Sequence, residues 1–73
     1  MLNQQYQLKE NPNKFYRVDD LVRDGHIRMV VYTRVDLYID KNGEEVNISG
    51  TQHWMSLNNF LEIVDIPLSE QEM

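Results

Sequence analysis

The chain has 73 residues with two prolines, three glycines and no cysteine, which excludes a disulfide framework and a thiolate metal site. Its net charge of −5 argues against nonspecific nucleic-acid binding, because counterion release needs a dense basic surface. We expect one domain over residues 1–73, with frayed tails at residues 1–5 and 68–73.

Charge is unevenly distributed along the chain. From Lys14 to Arg34 there are five basic and three acidic residues, whereas from Asp36 onward there are eight acidic residues and one lysine. Opposed charge favours charge-guided contacts between proteins. Because the longest apolar run is only Met29–Tyr32 and the N-terminus shows no leader pattern, we expect a cytoplasmic protein without a signal peptide or membrane span.

Turn signals separate short predicted strands in the first third of the chain. Asn11-Pro12-Asn13 predicts a turn, because proline presets φ at the second turn position. Lys14–Val18 is rich in aromatic and β-branched residues and predicts a strand. Val18–Gly25 fits either one helical turn or a strand leading into an Asp24-Gly25 hairpin turn. We favour the strand, because so short a segment with two valines makes a poor isolated helix.

The strongest signal is the run His26–Asp40, which contains no glycine or proline. Its odd positions form an almost unbroken apolar face, and its even positions are mostly polar or amphipathic, as in a strand. Fourteen extended residues would span about 46 Å, whereas a compact domain of this size is roughly 30 Å across. The strand must therefore bend or project toward a neighbour. We favour a bend, through a β-bulge or strong coiling near Thr33–Asp36.

Two further strands are predicted after this run. Asp40–Gly43 ends in Asn-Gly, the preferred two-residue hairpin turn, because both positions tolerate positive φ. Glu45–Ser49 then predicts a returning strand. Ser49-Gly50 predicts another turn, and Gln52–Ser56 a last strand that carries the single tryptophan.

The C-terminal part admits two structures. Apolar residues at helical spacing follow Ser56, an acceptable N-cap, and predict a short helical turn near residues 57–64. A short helical turn followed by a strand over Glu62–Ile66 fits as well, and Pro67 ends either one.

The order of these elements resembles a known family. The segments Val18-Asp19-Asp20-Leu21-Val22 and Arg28-Met29-Val30-Val31, followed by a hairpin and a closing tryptophan, are similar to small SH3-like barrel proteins of bacteria and phages. The resemblance covers Phe15–Ile66 and implies a noncatalytic binding module of phage or mobile-element origin. With the periodicity, it predicts a mostly β fold: a small, strongly bent antiparallel sheet or SH3-like barrel of about five strands, with a short helical turn near residues 57–64.

No motif predicts an enzyme. Two histidines without cysteine give no recognisable set of transition-metal ligands. The run Tyr38–Ser49 has the length of a calcium loop but lacks the carboxylates required at its first and twelfth positions. Three glycines form no phosphate-binding loop. We therefore expect no catalytic residue, no metal and no cofactor.

The even face of the long strand is the candidate binding surface, together with the tryptophan segment. Interleaved arginine and tyrosine supply contact area at low entropic cost and planar hydrogen-bond donors. The same pattern also suits plain sheet surface, because aromatic residues favour strands and Arg–Tyr pairs stabilise them. A lone tryptophan is likewise more typical of a core. The candidate partner-binding residues are Arg28, Tyr32, Arg34, Tyr38, His53 and Trp54.

These observations predict a small noncatalytic protein-interaction module. It would bind a partner protein, or self-associate into a homo-oligomer, through the 26–40 strand. One alternative is a nucleic-acid-binding small barrel, which fits the Arg/Tyr pattern but not the charge. Another is an acidic inhibitor of a host DNA-binding protein, which only the acidic second half supports. Nucleic acid is the less favoured partner, and no membrane contact is expected.

Overall fold

The computed structural model describes residues 1–67, which form one antiparallel sheet and a short helix. The elements are β1 (Gln5–Gln7), β2 (Lys14–Asp24), β3 (Ile27–Ile39), β4 (Glu45–Ser56) and α1 (Leu57–Ile63). The strands lie in the order β1-β2-β3-β4. The mostly β, antiparallel prediction is confirmed. Over the described residues the sheet is open, since β1 and β4 lie at opposite edges, and the barrel alternative is not confirmed.

The hairpin of β2 and β3 confirms the strand favoured for Val18–Gly25. Asp24 pairs with Ile27 across a two-residue turn made of Gly25 and His26. Gly25 has a φ of 63°, a conformation that residues with a Cβ atom rarely adopt. The turn therefore lies one residue further along than the predicted Asp24-Gly25 pair.

A longer turn over residues 40–44 joins β3 to β4. The N–H of Gly43 donates to the carbonyl of Asp40 at 3.1 Å. The carboxylate of Asp40 accepts the backbone N–H groups of Asn42 at 2.8 Å and Glu44 at 2.9 Å. Of Asn42 and Gly43 only the glycine has positive φ, at 80°. The predicted two-residue turn is therefore wrong, because the Asp40 side chain stabilises a longer one.

A β-bulge lies between the centres of β3 and β4. Thr33 pairs with Gln52 and Val35 pairs with Ser49, so β4 advances by three residues where β3 advances by two. The register shift lies at the predicted position, near Thr33–Asp36, but the extra residue belongs to β4 and not to the long strand itself.

The bulge also explains why the sheet has four strands and not about five. The turn predicted at Ser49-Gly50 is wrong, because the chain continues through it as a single strand. The two predicted strands on either side, Glu45–Ser49 and Gln52–Ser56, both pair with β3 and are halves of β4. A glycine in a strand interior can mark a bulge as well as a turn.

The hydrophobic core lies between one face of the sheet and α1. Phe60 and Val64 have no exposed surface. The ring of Phe60 lies edge-on to Tyr6 at 6.0 Å between centroids and tilted against Tyr32 at 6.1 Å. The buried residues of this core are Tyr6, Val18, Val30, Tyr32, Phe60 and Val64.

The helical turn predicted near residues 57–64 is confirmed as α1. The hydroxyl of Ser56 accepts the N–H of Asn59 at 3.3 Å and caps its first turn. Beyond the helix, the strand alternative over Glu62–Ile66 is limited to one isolated bridge between Val64 and Leu8. No helix in residues 1–67 is long and apolar enough to cross a membrane.

Both faces of β3 are buried at its centre. Val30 and Tyr32, at even positions, lie in the core beneath α1. Val31 and Val35, at odd positions, are also buried, although they lie on the face that α1 does not cover. The assignment of the even positions to the outside is therefore wrong at the centre of the strand. The reason is that α1 packs against the face of the sheet on which Val30 and Tyr32 lie.

The described part of the chain is elongated, with extents of 48 × 27 × 20 Å. The thirteen residues of β3 account for most of the longest extent, at ~3.3 Å per residue. The last pair between β2 and β3 joins Lys14 to Asp36, and the β3–β4 hairpin continues past it. The bulge is therefore present, but it does not prevent the long strand from projecting beyond the end of β2.

One of the two predicted tails lies within the described residues. In the segment 1–5, the N–H of Asn3 donates to the carbonyl of Val18 at 2.8 Å, and Gln5 pairs with Arg17. This segment is thus hydrogen-bonded to β2. The tail predicted over residues 68–73 lies outside the described residues.

Candidate protein-binding surface

Tyr32, one of the six predicted site residues, belongs to the core. It is 7% exposed. Its ring stacks on Tyr16 at 4.4 Å and on His53 at 5.7 Å between centroids. Burial raises the pKa of Tyr32, the neighbouring Tyr16 adds to the rise, and Arg34 acts against it. These contacts give the side chain a structural role.

The other predicted residues of β3 are exposed but far apart. Arg28 lies beside the β2–β3 turn, Arg34 pairs with Tyr16 near the centre, and Tyr38 lies near the β3–β4 turn. The ten residue steps from Arg28 to Tyr38 span roughly 33 Å in an extended strand. The structure does not bring these side chains into one compact site.

Trp54 lies on the face of the sheet that α1 leaves open. It pairs with Val31 and is 59% exposed. The expectation of a core tryptophan is therefore wrong. Ile27 and Ile39 are exposed on the same strand face, at the two ends of β3. The open face thus presents apolar side chains to solvent.

A polar cluster around Asp19 interrupts this open face. Asp19 is the extra residue of a second bulge, in β2. Its carboxylate accepts hydrogen bonds from Arg17 Nε at 3.0 Å, from Gln52 Nε2 at 3.1 Å and from the hydroxyl of the buried Thr33. The cluster therefore joins β2, β3 and β4 through one side chain.

The electrostatics of Asp19 follow from these contacts. Burial acts to raise its pKa, but the hydrogen bonds from Thr33, Gln52 and Arg17, together with the charge of Arg17, outweigh burial. The net pKa of Asp19 is lowered from its usual value. A carboxylate held by three donors is a poor proton acceptor, so the cluster is suited to fixing the bulges.

Metal-ligand geometry is not found in the described part of the chain. Across residues 1–67, no group of three or more histidine, cysteine, aspartate or glutamate side chains is placed to hold a metal ion. The polar atoms of the Asp19 cluster are already paired with one another.

The outer edge of β4 is a long strand edge that no other strand covers within the described residues. β4 is the last strand of the sheet, and no other strand within residues 1–67 pairs with its outer side. It is twelve residues long, and most of its side chains are exposed. Glu45 is its one residue that is charged at neutral pH, and it contains no proline. Proteins commonly protect such edges with lysine, proline or very short strands.

The opposite edge of the sheet is protected. β1 pairs with Phe15–Arg17 of β2, and the preceding residues Asn3 and Gln4 hydrogen-bond to the backbone of Val18. The outer edge of β2 beyond that point is rich in charge, which discourages strand addition. Its charged residues are Asp19, Asp20, Arg23 and Asp24. The molecule therefore has one charged edge and one nearly neutral edge.

The two ends of the molecule carry opposite charge. Arg23 and Arg28 pair directly across the β2–β3 hairpin, and we call them the basic end. Like charges that face each other in a sheet are destabilising, and Asp24, which follows Arg23, offsets part of this positive charge. Asp40, Glu44 and Glu45, at the β3–β4 turn, form the acidic end, where these three carboxylates outnumber the single Lys41.

Sequence reasoning missed the β4 edge because it divided this strand at Gly50. A signal was nevertheless present. Residues 45–56 hold one carboxylate and no lysine, arginine or proline, in a chain that is 26% charged. Of the six predicted residues, only His53 and Trp54 lie on this strand.

Comparison of the chain with protein-family models, curated proteins and solved structures gives no match. The resemblance to SH3-like barrels therefore stays a prediction.

Proposed function

We propose that the protein is a noncatalytic interaction module that binds a polypeptide strand along the outer edge of β4. The observation that carries this proposal is the twelve-residue edge with a single charged residue. Strand addition uses the backbone groups of such an edge for affinity and the alternating side chains for specificity. Trp54, exposed on the same strand, would supply apolar contact area.

The binding strand differs from the one expected from the sequence. β3 is hydrogen-bonded to β2 on one side and to β4 on the other. Its backbone groups are engaged over most of its length and cannot accept a further strand. Strand addition at β4 needs no rearrangement of the sheet.

The placement of basic residues favours a protein partner over nucleic acid. Arg17 is paired with Asp19, and the basic end is separated from Arg34 by part of β3. Binding along a phosphate backbone needs a continuous basic track. We therefore expect partner binding to weaken with salt far less steeply than binding to a phosphate backbone does.

Affinity purification from the native host tests the proposal. We compare the wild-type chain with Ser49→Lys, which places a lysine on the exposed β4 edge. Gln5→Lys is the matched control, because it places the same charge on β1 at the other edge. We expect a partner to be retained by the wild type and the control, and retention by Ser49→Lys to fall at least about tenfold. Equal retention by all three would contradict strand addition at β4.

A further inference from the structure

We propose that the strand seated on the β4 edge is β4 of a second copy, paired antiparallel about a two-fold axis. This inference rests on the proposed function, because it names the occupant of the same edge. Identical antiparallel strands form a closed, self-complementary interface. The two sheets would then continue into one.

The bulge in β4 restricts the register of this pairing. Residues that face each other in a sheet share a face. Before the bulge, the odd positions Glu45, Asn47 and Ser49 lie on the open face. After it, the even positions Gln52, Trp54 and Ser56 lie there. A residue at an odd position in one half must therefore face an even position in the other half.

One register meets this condition and uses the whole strand. It pairs Glu45 with Ser56 of the second copy, so that all twelve residues of β4 take part. Val46 then faces Met55 on the side of the sheet that α1 covers, and Asn47 faces Trp54 on the open side. The bulges of the two copies then lie side by side at the two-fold axis. Because each β4 has one extra residue there, the two strands stay aligned on both sides of the axis.

Charge complementarity supports a second copy as the occupant. Ser56 pairs with Met29, so the end of β4 lies beside Arg28 of the basic end. Antiparallel pairing brings the acidic end of one copy to the same end of the joined sheet as the basic end of the other, with β4 between Glu45 of one copy and Arg28 of the other. The two-fold axis repeats this arrangement. A parallel arrangement would instead place the two Glu45 side chains together.

Sedimentation equilibrium over a concentration series tests self-association. We expect the wild type and Gln5→Lys to reach twice the chain mass of 8.7 kDa. Ser49→Lys places two lysines near the two-fold axis and should raise the dissociation constant at least about tenfold. Circular dichroism verifies that each variant is folded. A wild-type chain that keeps its single mass at every concentration overturns the inference.

A charge exchange tests the antiparallel direction. One variant carries Glu44→Lys and Glu45→Lys, and the other carries Arg23→Glu and Arg28→Glu. Each variant alone brings like charges together at both contacts and should dissociate more readily than the wild type. An equimolar mixture should form a heterodimer, because each altered end then meets its opposite. A mixture that associates no better than either variant overturns the antiparallel arrangement.

The two proposals can fail separately. If the wild type is monomeric but Ser49→Lys still abolishes the capture of a host protein, the second-copy inference is wrong and strand addition at β4 stands. If the wild type is monomeric and Ser49→Lys captures as much as the Gln5→Lys control, both proposals are wrong.

Discussion

At the residue scale, Asp19 connects parts of the chain that are distant in sequence. Its carboxylate binds Gln52 in β4 and Thr33 in β3, while Asp19 itself is the bulged residue of β2. A bulge leaves one residue unpaired by the ladder. In this protein the side chain of the unpaired residue, Asp19, stabilises the β2 bulge through its hydrogen bonds to β3 and β4.

We expect Asp19→Asn to lower the free energy of unfolding by about 1–2 kcal/mol at neutral pH, because a charged acceptor is replaced by a neutral one. The folded-state pKa of Asp19 is lowered, so its contribution is present above the unfolded-state pKa and is lost as pH falls through the folded-state pKa. The difference between wild type and variant should therefore shrink in acid. Urea unfolding at several pH values measures it, with the exposed Asp20→Asn as control. A difference that is constant with pH would contradict this role.

At the element scale, the glycine in the turn before β4 and the glycine in the middle of β4 have different structural roles. Gly43 has a φ of 80° in the β3–β4 turn. Gly50 lies at the bulge without positive φ, and a Cβ there would meet the carbonyl oxygen of Arg34 at 3.4 Å, an ordinary contact.

We expect opposite effects of alanine at these positions. Gly43→Ala should lower the free energy of unfolding by about 1–2 kcal/mol, because a left-handed backbone strains residues with a Cβ. Gly50→Ala should leave stability unchanged or raise it by up to about 1 kcal/mol, because it restricts the unfolded chain. Thermal or urea unfolding of both variants distinguishes them. Equal destabilisation would show that Gly50 is required for close backbone approach.

The elements also show what sequence patterns can and cannot predict. The β3 strand, the position of the bulge beside it and the capped helix follow from local signals: period-two alternation, excess length and Ser56 before an apolar helical repeat. Which face of β3 is covered by α1 does not follow from the sequence, because valines occupy both faces at the centre of the strand. The Asp19 cluster cannot be predicted from the sequence either. Its partners Thr33 and Gln52 come together through a strand register that two bulges determine.

At the scale of the whole molecule, one aromatic side chain joins the helix to the sheet and another lies outside. Phe60 is fully buried against Tyr6, Tyr16 and Tyr32. Trp54 is mostly exposed on the opposite face.

We expect Phe60→Ala to lower the free energy of unfolding by about 3–5 kcal/mol, a large share of the stability of so small a domain. Trp54→Ala should change it by less than about 1 kcal/mol, while weakening partner binding. Denaturant unfolding and the binding assay above measure the two effects. A strongly destabilised Trp54→Ala would show that the open face is covered in the folded protein.

The projecting β3–β4 hairpin implies that stability varies along a single strand. The core contains Val30 and Tyr32, but it contains no residue from Leu37 to Ile48. Backbone amides open with a free energy set by local packing. In the isolated chain, hydrogen exchange at Tyr38 and Ile39 should therefore proceed by local opening and be little affected by mild denaturant. At Val30 and Tyr32 it should require global unfolding. β3 would then be one strand in geometry but two cooperative units in exchange.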